Sequence, residues 1–321
     1  MKILLAGCGD IGQRTALKFA QLPSGHQCFG LKRNPQNLPA FIAQIAGNMT
    51  CVEQLTSILN QQFDVVIVTL TPQDFTEQAY RDSYVAGAEA LAIAIERTQS
   101  QPKLVLWVSS TSVYGNNQGA WVDEMTPTNP ASFSGQLLLQ AEQTISRLPC
   151  AHSIVRFSGI YGPGRTRMLD QIKAGKGRPA QPEQWSNRIH SDDCAGVLAH
   201  LVELFDRGES LEQIYLGTDS GPVTQHDMRR WMASQMQVQL TDETVVQNAI
   251  RRCSNQRLLE SGYEFIYPGA GYGGSCFPKD VRALESIAKT IGYDAELIRA
   301  VEGVNNRQKH ILADKVRDYF G

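Results

Sequence analysis

The chain has 321 residues, with 30 Lys and Arg against 32 Asp and Glu, so its formal net charge is −2. That near-neutral balance, with no basic run interleaved with aromatics, gives no electrostatic reason to expect nucleic acid or an anionic membrane surface as a partner. Hydrophobic residues make up 42% and charged residues 19%, which excludes a disordered chain and allows a sizeable core. The longest apolar stretch, around "VVIVTL", is far too short to span a bilayer. Seven cysteines without a C-x-x-C pair indicate neither a zinc site nor a disulfide framework. A cytoplasmic protein with no metal, acting on a small-molecule substrate, is the expectation.

In chain order, "MKILLAGCGD" reads as a first strand entering a glycine turn rather than as a signal peptide. The predicted strands are "KILLA", "QCFGL", "DVVIVTL", "KLVLWVSS" and "SIVRF". Between them lie helical stretches, "QRTALKFAQL", "PAFIAQIAG" and the long "TEQAYRDSYVAGAEALAIAIERT". Such alternation predicts an α/β fold, a doubly wound parallel sheet with ligands at the carboxyl ends of its strands. Residues 1–157 are thus expected to form a dinucleotide-binding domain. After Phe157 the pattern loosens, and residues 158–266 read as a small substrate-covering region, partly interleaved with the first. There Asp192 is the expected N-cap of a helix, with His190 and Asp193 orienting it. From residue 267 a glycine-rich loop leads into an α-helical tail. In its last helix, which Asp294 is placed to cap, Leu297, Ile298, Val301, Val304, Ile311, Leu312 and Val316 form one stripe. That stripe needs a surface to pack on, either the first domain or a second copy, so a homodimer through this helix is expected.

"LLAGCGDIGQRTA" places Gly7, Gly9 and Gly12 in G-x-G-x-x-G spacing between a strand and a helix. Gly7 permits the tight turn, Gly9 lets a pyrophosphate approach the backbone, and Gly12 lets the helix pack on the strand. The amides around Asp10 and Ile11 at the helix start would hold the phosphate charge. At the end of the second strand, "FGLKRNPQ" lacks the acid that would hydrogen-bond a ribose hydroxyl. Lys32 and Arg33 offer cations instead, so NADP is preferred over NAD, although a pair of solvated charges would look the same.

"LVLWVSSTSVYG", "DEMTPTNP", "AEQ", "IVRFSGIYGPGR" and "NRIHSDDCAG", in that order, resemble the extended short-chain dehydrogenase/reductases, the nucleotide-sugar epimerases and dehydratases. The resemblance spans about residues 1–266 and implies a Rossmann-like fold and a cofactor pocket that includes Ser109. It implies that Ser110 hydrogen-bonds the reacting oxygen. The family also uses a Tyr and a Lys in Y-x-x-x-K spacing, the Tyr exchanging the proton that accompanies hydride transfer. Aligned through Gly135 and Glu142, this chain has Ser134 and Leu138 at those two places, a departure that resembles an atypical branch of the family. Tyr114, Tyr161 and the Asp123/Glu124 pair are conceivable substitutes, each with a blander reading as a packed aromatic or a solvated acid.

"GYGGSCFPKD" followed by "VNNRQK" is similar to a different family, the UDP-glucose/GDP-mannose dehydrogenases, over about residues 269–321. That resemblance implies that Cys276 attacks an aldehyde, that the thiohemiacetal yields a second hydride to become a thioester, and that Asp280 assists hydrolysis. Lys279 and the helix beginning near Asp280 would lower the thiol pKa. The other parts of that enzyme do not appear, and the chain stops about where its second α/β domain would begin. Three readings follow: an NAD(P)-dependent epimerase-type oxidoreductase with a non-standard acid/base, a non-catalytic NADP-binding sensor, and a UDP-glucose 6-dehydrogenase activity through Cys276.

Overall fold

The computed structural model describes residues 1–115, 117–243 and 251–265. The chain divides into two units, Met1–Glu264 and Phe265–Gly321, and the second lies outside the described residues except for Phe265. The first half contains β1 (Lys2–Ala6), α1 (Asp10–Gln21), β2 (Gln27–Lys32), β3 (Ala43–Ala46), α2 (Val52–Leu59) and β4 (Val65–Val68). The long helix follows as α3 (Glu77–Tyr80), a π turn (Arg81–Val85) and α4 (Ala86–Arg97). Then come β5 (Leu104–Ser110), a 3-10 turn (Thr111–Val113), β6 (Trp121–Val122), α5 (Phe133–Ile145) and β7 (Ala151–Phe157). Shorter elements succeed them: β8 (Gly159–Tyr161), α6 (Arg167–Lys173), β9 (Lys176–Gly177), β10 (Trp185–Ser186) and β11 (Arg188–His190). The unit closes with α7 (Ser191–Asp206), β12 (Ile214–Gly217), β13 (Val223–Thr224), α8 (Gln225–Gln235), β14 (Thr241–Asp242), β15 (Arg252–Cys253) and α9 (Gln256–Glu260).

Seven parallel strands form one sheet in the order β3-β2-β1-β4-β5-β7-β12. The chain winds outward from β1 in one direction and then, from β4, in the other. The crevice at this reversal opens at the carboxyl ends of β1 and β4, where open α/β sheets take ligands. Burial explains the apolar runs: all of β4 and nearly all of β1 are enclosed. On one face α2, α4 and α5 contribute Leu55, Leu91, Ile95, Ala141 and Ile145 to a cluster with Leu4, Val66, Val105 and Trp107. On the other face α1 packs against α7.

Two expectations are corrected here. "PAFIAQIAG" is not a helix; it enters the edge strand β3, whose Ala43–Ala46 pair with Phe29–Lys32. Its apolar spacing serves a different contact, because Ile42 and Leu38 close over Gly30, where a Cβ would lie 2.9 and 2.6 Å from their side chains. The N-cap of α7 is His190, not Asp192: His190 Nδ1 accepts from the Asp192 amide at 3.2 Å. Strand β12, at the edge of the sheet, lies outside the predicted strands. No helix among the described residues is long and apolar enough to cross a membrane.

Candidate functional site

At the end of β1, Gly7 has φ +77°, a left-handed backbone that favours glycine, and a Cβ there would press on Thr69 and Leu70 at 3.1–3.3 Å. A Cβ at Gly12 would press equally on Thr69 Oγ1 (3.3 Å), so the glycine lets α1 descend onto the end of β4. At Gly9 the only atom a Cβ would meet is Gly7 O at 3.7 Å, so this position faces open space. Gly9 is the N-cap of α1 and supplies no side-chain hydrogen bond to the first turn. A 12-residue helix therefore presents uncapped amides at Asp10, Ile11 and Gly12 beside a bare backbone, an arrangement that fits a pyrophosphate. Cys8, between these glycines, is inert: burial pushes its thiol up to about 11 despite nearby Lys32.

Lys32 ends β2 half-buried, and Arg33 follows it, exposed. The Gln73 amide, with its oxygen facing the guanidinium, accepts from Arg33 Nη2 at 3.1 Å. Arg33 thus stands over the loop after β4, at the mouth of the crevice.

Around β5 the predicted residues part company. Ser109 is buried and its hydroxyl donates to Glu142 Oε1 at 2.6 Å. Glu142 in turn receives Arg156 through Nε (3.1 Å) and Nη2 (2.6 Å). Arg156 Nη1 donates to the Tyr114 hydroxyl at 2.7 Å, and that hydroxyl donates to Asp123 O at 2.7 Å. Tyr114 is therefore enclosed and fully hydrogen-bonded, with burial raising its phenol to about 12. Ser110 Oγ accepts from the Ser112 amide at 3.2 Å and caps the 3-10 turn, leaving its own proton available. Asp123 folds onto its own loop, accepting from the Thr126 hydroxyl at 2.8 Å. Glu124 is not a solvated acid: its side chain is 5% exposed and accepts from the Leu216 amide at 2.8 Å.

The two places where the family's Tyr and Lys would stand are filled by packing. Ser134 is buried, its hydroxyl 3.1 Å from that of Ser132. Leu138 belongs to an apolar cluster with Val113, Tyr114, Val122, Leu216 and Cys253. A Cβ at Gly135 would collide with the Ser112 carbonyl, so this glycine lets α5 lie directly on the turn that follows Ser110. Cys276, Lys279 and Asp280 lie outside the described residues.

Beyond β5 a cavity of about 1020 Å³ runs from Thr111 along β8, β10, β11 and α6. Arg165, Arg167, Lys176, Arg188 and Arg251 line it against the single carboxylate of Asp170. Trp185, Ile160, Met168 and Tyr161 give it apolar wall. Arg251 is held by Thr111 O (2.7 Å) and Gly115 O (3.4 Å), while its Nε is buried without an acceptor among the described residues. Burial lowers the Arg188 pKa, partly offset by Asp219 and Tyr161, and pushes the Tyr161 phenol up to about 12. These arginines carry the cavity's chemistry and none was singled out from sequence. "YGPGR" and "NRIH" contain Arg165 and Arg188, but nothing in their spacing says that they converge on one wall with Arg251.

Comparison with known proteins agrees with this architecture. The RmlD substrate binding domain family matches residues 1–259, and the central domain of the UDP-glucose/GDP-mannose dehydrogenase family matches residues 237–307. A structure from Methylobacillus flagellatus, described as an NAD-dependent epimerase/dehydratase, is 35% identical with a TM-score of 0.69, covering 84% of this chain and 94% of its own. A human epimerase family protein crystallised with NADPH shares the fold at 19% identity and a TM-score of 0.67, covering 84% of this chain and 96% of its own. UDP-glucuronic acid 4-epimerase from Bacillus cereus, in complex with NAD, does so at 17% and 0.67, covering 83% and 93%. Protein YeeZ of Escherichia coli is 28% identical over 218 residues, 63% of this chain and 73% of that protein. UDP-glucose 6-dehydrogenase of Pseudomonas aeruginosa is 56% identical over 59 residues, but these are 18% of this chain and only 13% of that enzyme. Matched over most of its length and built on an epimerase/dehydratase-like NAD(P)-binding fold, the chain belongs to the RmlD substrate binding domain family.

Proposed function

We propose that the chain binds a nicotinamide dinucleotide along the glycine loop and α1, and takes a phosphate-bearing sugar nucleotide or similar anionic substrate in the adjoining cavity. The observation that carries this reading is the cavity wall: five cationic side chains line it with one carboxylate, and Arg251 Nε is buried without an acceptor among the described residues. An anion in the cavity would balance this excess of positive charge. Gly7, Gly9 and Gly12, with the amides of Asp10 and Ile11, would hold the dinucleotide pyrophosphate. Lys32 and Arg33 would grip a 2′-phosphate, which favours NADP over NAD. A bound nicotinamide supplies a hydride donor or acceptor.

The chain's own contribution to proton handling would be Ser110, whose hydroxyl proton is available to a substrate oxygen. Ser109 and Tyr114 hold the frame around it through Glu142 and Arg156. Residues 158–266 would then act as the substrate-covering part. The test is calorimetric binding of NADPH and NADH, followed by turnover with UDP- and dTDP-sugars. Sugar conversion lost on Ser110→Ala supports an enzyme. Tight dinucleotide binding with no conversion of any sugar favours a sensor instead.

A second reading rests on the match of residues 237–307 to the UDP-glucose/GDP-mannose dehydrogenase family. After a first hydride transfer to NAD turns the sugar C6 alcohol into an aldehyde, the Cys276 thiolate would add to it. The thiohemiacetal carbon would give a second hydride to another NAD, and water would release the acid from the thioester and return the thiol, with help from Asp280, Lys279 favouring the thiolate. UDP-glucose with NAD should then produce NADH, and Cys276→Ser should abolish it. No NADH from the unmodified protein removes this reading.

A further inference from the structure

Asp10 occupies an odd place for a carboxylate. It is the first residue of α1, beside the uncapped amides that suit a pyrophosphate, where a second negative charge would oppose the ligand. Two arginines neutralise it, one at each carboxylate oxygen. Arg14 Nε donates to Oδ1 at 2.7 Å, and Arg165 Nη2 donates to Oδ2 at 3.2 Å. Arg14 also reaches Asp192 Oδ1 at 2.5 Å, so its charge is already divided between two carboxylates. Arg165 differs, because it comes from the loop between β8 and α6 and Asp10 is its one ion-pair partner among the described residues. It also lines the large cavity.

Its position is built by the backbone. Gly162 has φ +138° and lies 3.1 Å, by a hypothetical Cβ, from His190 Nε2 at the start of α7. The Arg165 amide donates back to Gly162 O at 3.1 Å, closing a tight turn that carries the guanidinium toward Asp10. A guanidinium has five donors in a rigid fork, and Asp10 uses one of them. The remaining donors belong to a side chain that both pairs with Asp10 at the start of α1 and lines the cavity.

We propose that Arg165 is a cation shared by the two ligands: one side clamps the dinucleotide pyrophosphate beside Asp10, the other faces the diphosphate of the cavity ligand, and the two bind cooperatively through it. This rests on the dinucleotide reading above. Two anions brought into one crevice repel each other, and a cation fixed between them turns that repulsion into mutual support. Because coupling is reciprocal, either ligand reports it.

The experiment measures NADPH affinity by calorimetry, with and without saturating UDP, for the full chain and for Arg165→Ala, Arg165→Lys and Asp10→Asn. UDP should tighten NADPH severalfold in the unmodified protein. Arg165→Ala should weaken NADPH by about five- to tenfold, a partly exposed charge-assisted contact, and remove the effect of UDP. Arg165→Lys should keep part of both. Asp10→Asn should act in the opposite direction and tighten NADPH, since it removes a negative charge and frees Arg165. This last variant stands even if the alanine change disturbs the turn. Arg165→Ala with NADPH affinity within twofold of the unmodified protein, or unchanged coupling to UDP, overturns the inference, as does a UDP effect of nil in the unmodified protein. Failure of the unmodified protein to bind either NADPH or NADH instead overturns the dinucleotide reading, and the inference with it.

Discussion

Asp219 follows β12 with one carboxylate oxygen buried and without a hydrogen-bond partner among the described residues. Burial is the main reason its pKa rises from 3.8 to about 6; the Gly221 amide and Arg188 oppose the rise, and Asp193 adds to it. Between those two values the folded chain holds a proton that the unfolded chain has lost. Stability therefore falls as pH rises through this window and is level above it. At neutral pH the ionised group costs on the order of 2–3 kcal/mol. Asp219→Asn should abolish that fall and raise Tm at pH 7 by about 5 °C, read by thermal melts between pH 4 and 8. A melting profile that keeps the same slope in the variant refutes this assignment of the pH dependence. The Glu142–Arg156 pair shows the opposite condition: both side chains are buried, yet each has partners in a chain that runs through Ser109 and Tyr114.

At the scale of elements, most of the fold is legible in sequence because its strands are buried on both faces and read as apolar runs. "PAFIAQIAG" is not legible in this way. A mostly exposed edge strand of four residues borrows its hydrogen bonds from β2, and Ile42 just before it packs over Gly30, neither contact visible locally. Asp192 carries the usual N-cap residue type, yet its carboxylate pairs with Arg14 from a helix 178 residues away in sequence. The cavity is less legible still, since its arginines come from four short elements and loops. The start of α5 lies between these cases. Alignment places Ser134 and Leu138 where the resemblance implies Tyr and Lys; only packing shows what replaced them. Leu138 is 3% exposed within apolar neighbours. Leu138→Lys should therefore bury an ammonium and destabilise the protein by on the order of 3–5 kcal/mol in urea unfolding, rather than restore a ribose contact. A variant as stable as the unmodified chain would mean that the helix can turn this position toward the crevice.

For the molecule as a whole, the reversal of strand order between β1 and β4 sets the ligand crevice, and the loops beyond β5, β7 and β12 build the cavity next to it. A ligand that spans α1, the end of β2 and the loop after β4 ties together segments distant in sequence, so its binding energy appears as global stability. At a hundred times its Kd, NADPH should stabilise the fold by about 2.7 kcal/mol, which for a unit of this size is a Tm rise of roughly 5–10 °C. On the proposed reading, the cation at the crevice mouth would decide which dinucleotide does so. Arg33 is exposed and its contact is the Gln73 amide, so its removal should leave the fold intact and change only the cofactor response. In the unmodified chain NADPH should raise Tm further than NADH at equal concentration. In Arg33→Ala the two shifts should converge, through loss of the NADPH response rather than gain of the other. Equal shifts in the unmodified protein would mean that Lys32 and Arg33 are solvated charges, and that the missing acid at the end of β2 does not select the phosphate. A preference that survives in Arg33→Ala would transfer the role to Lys32, half-buried at the last position of the strand.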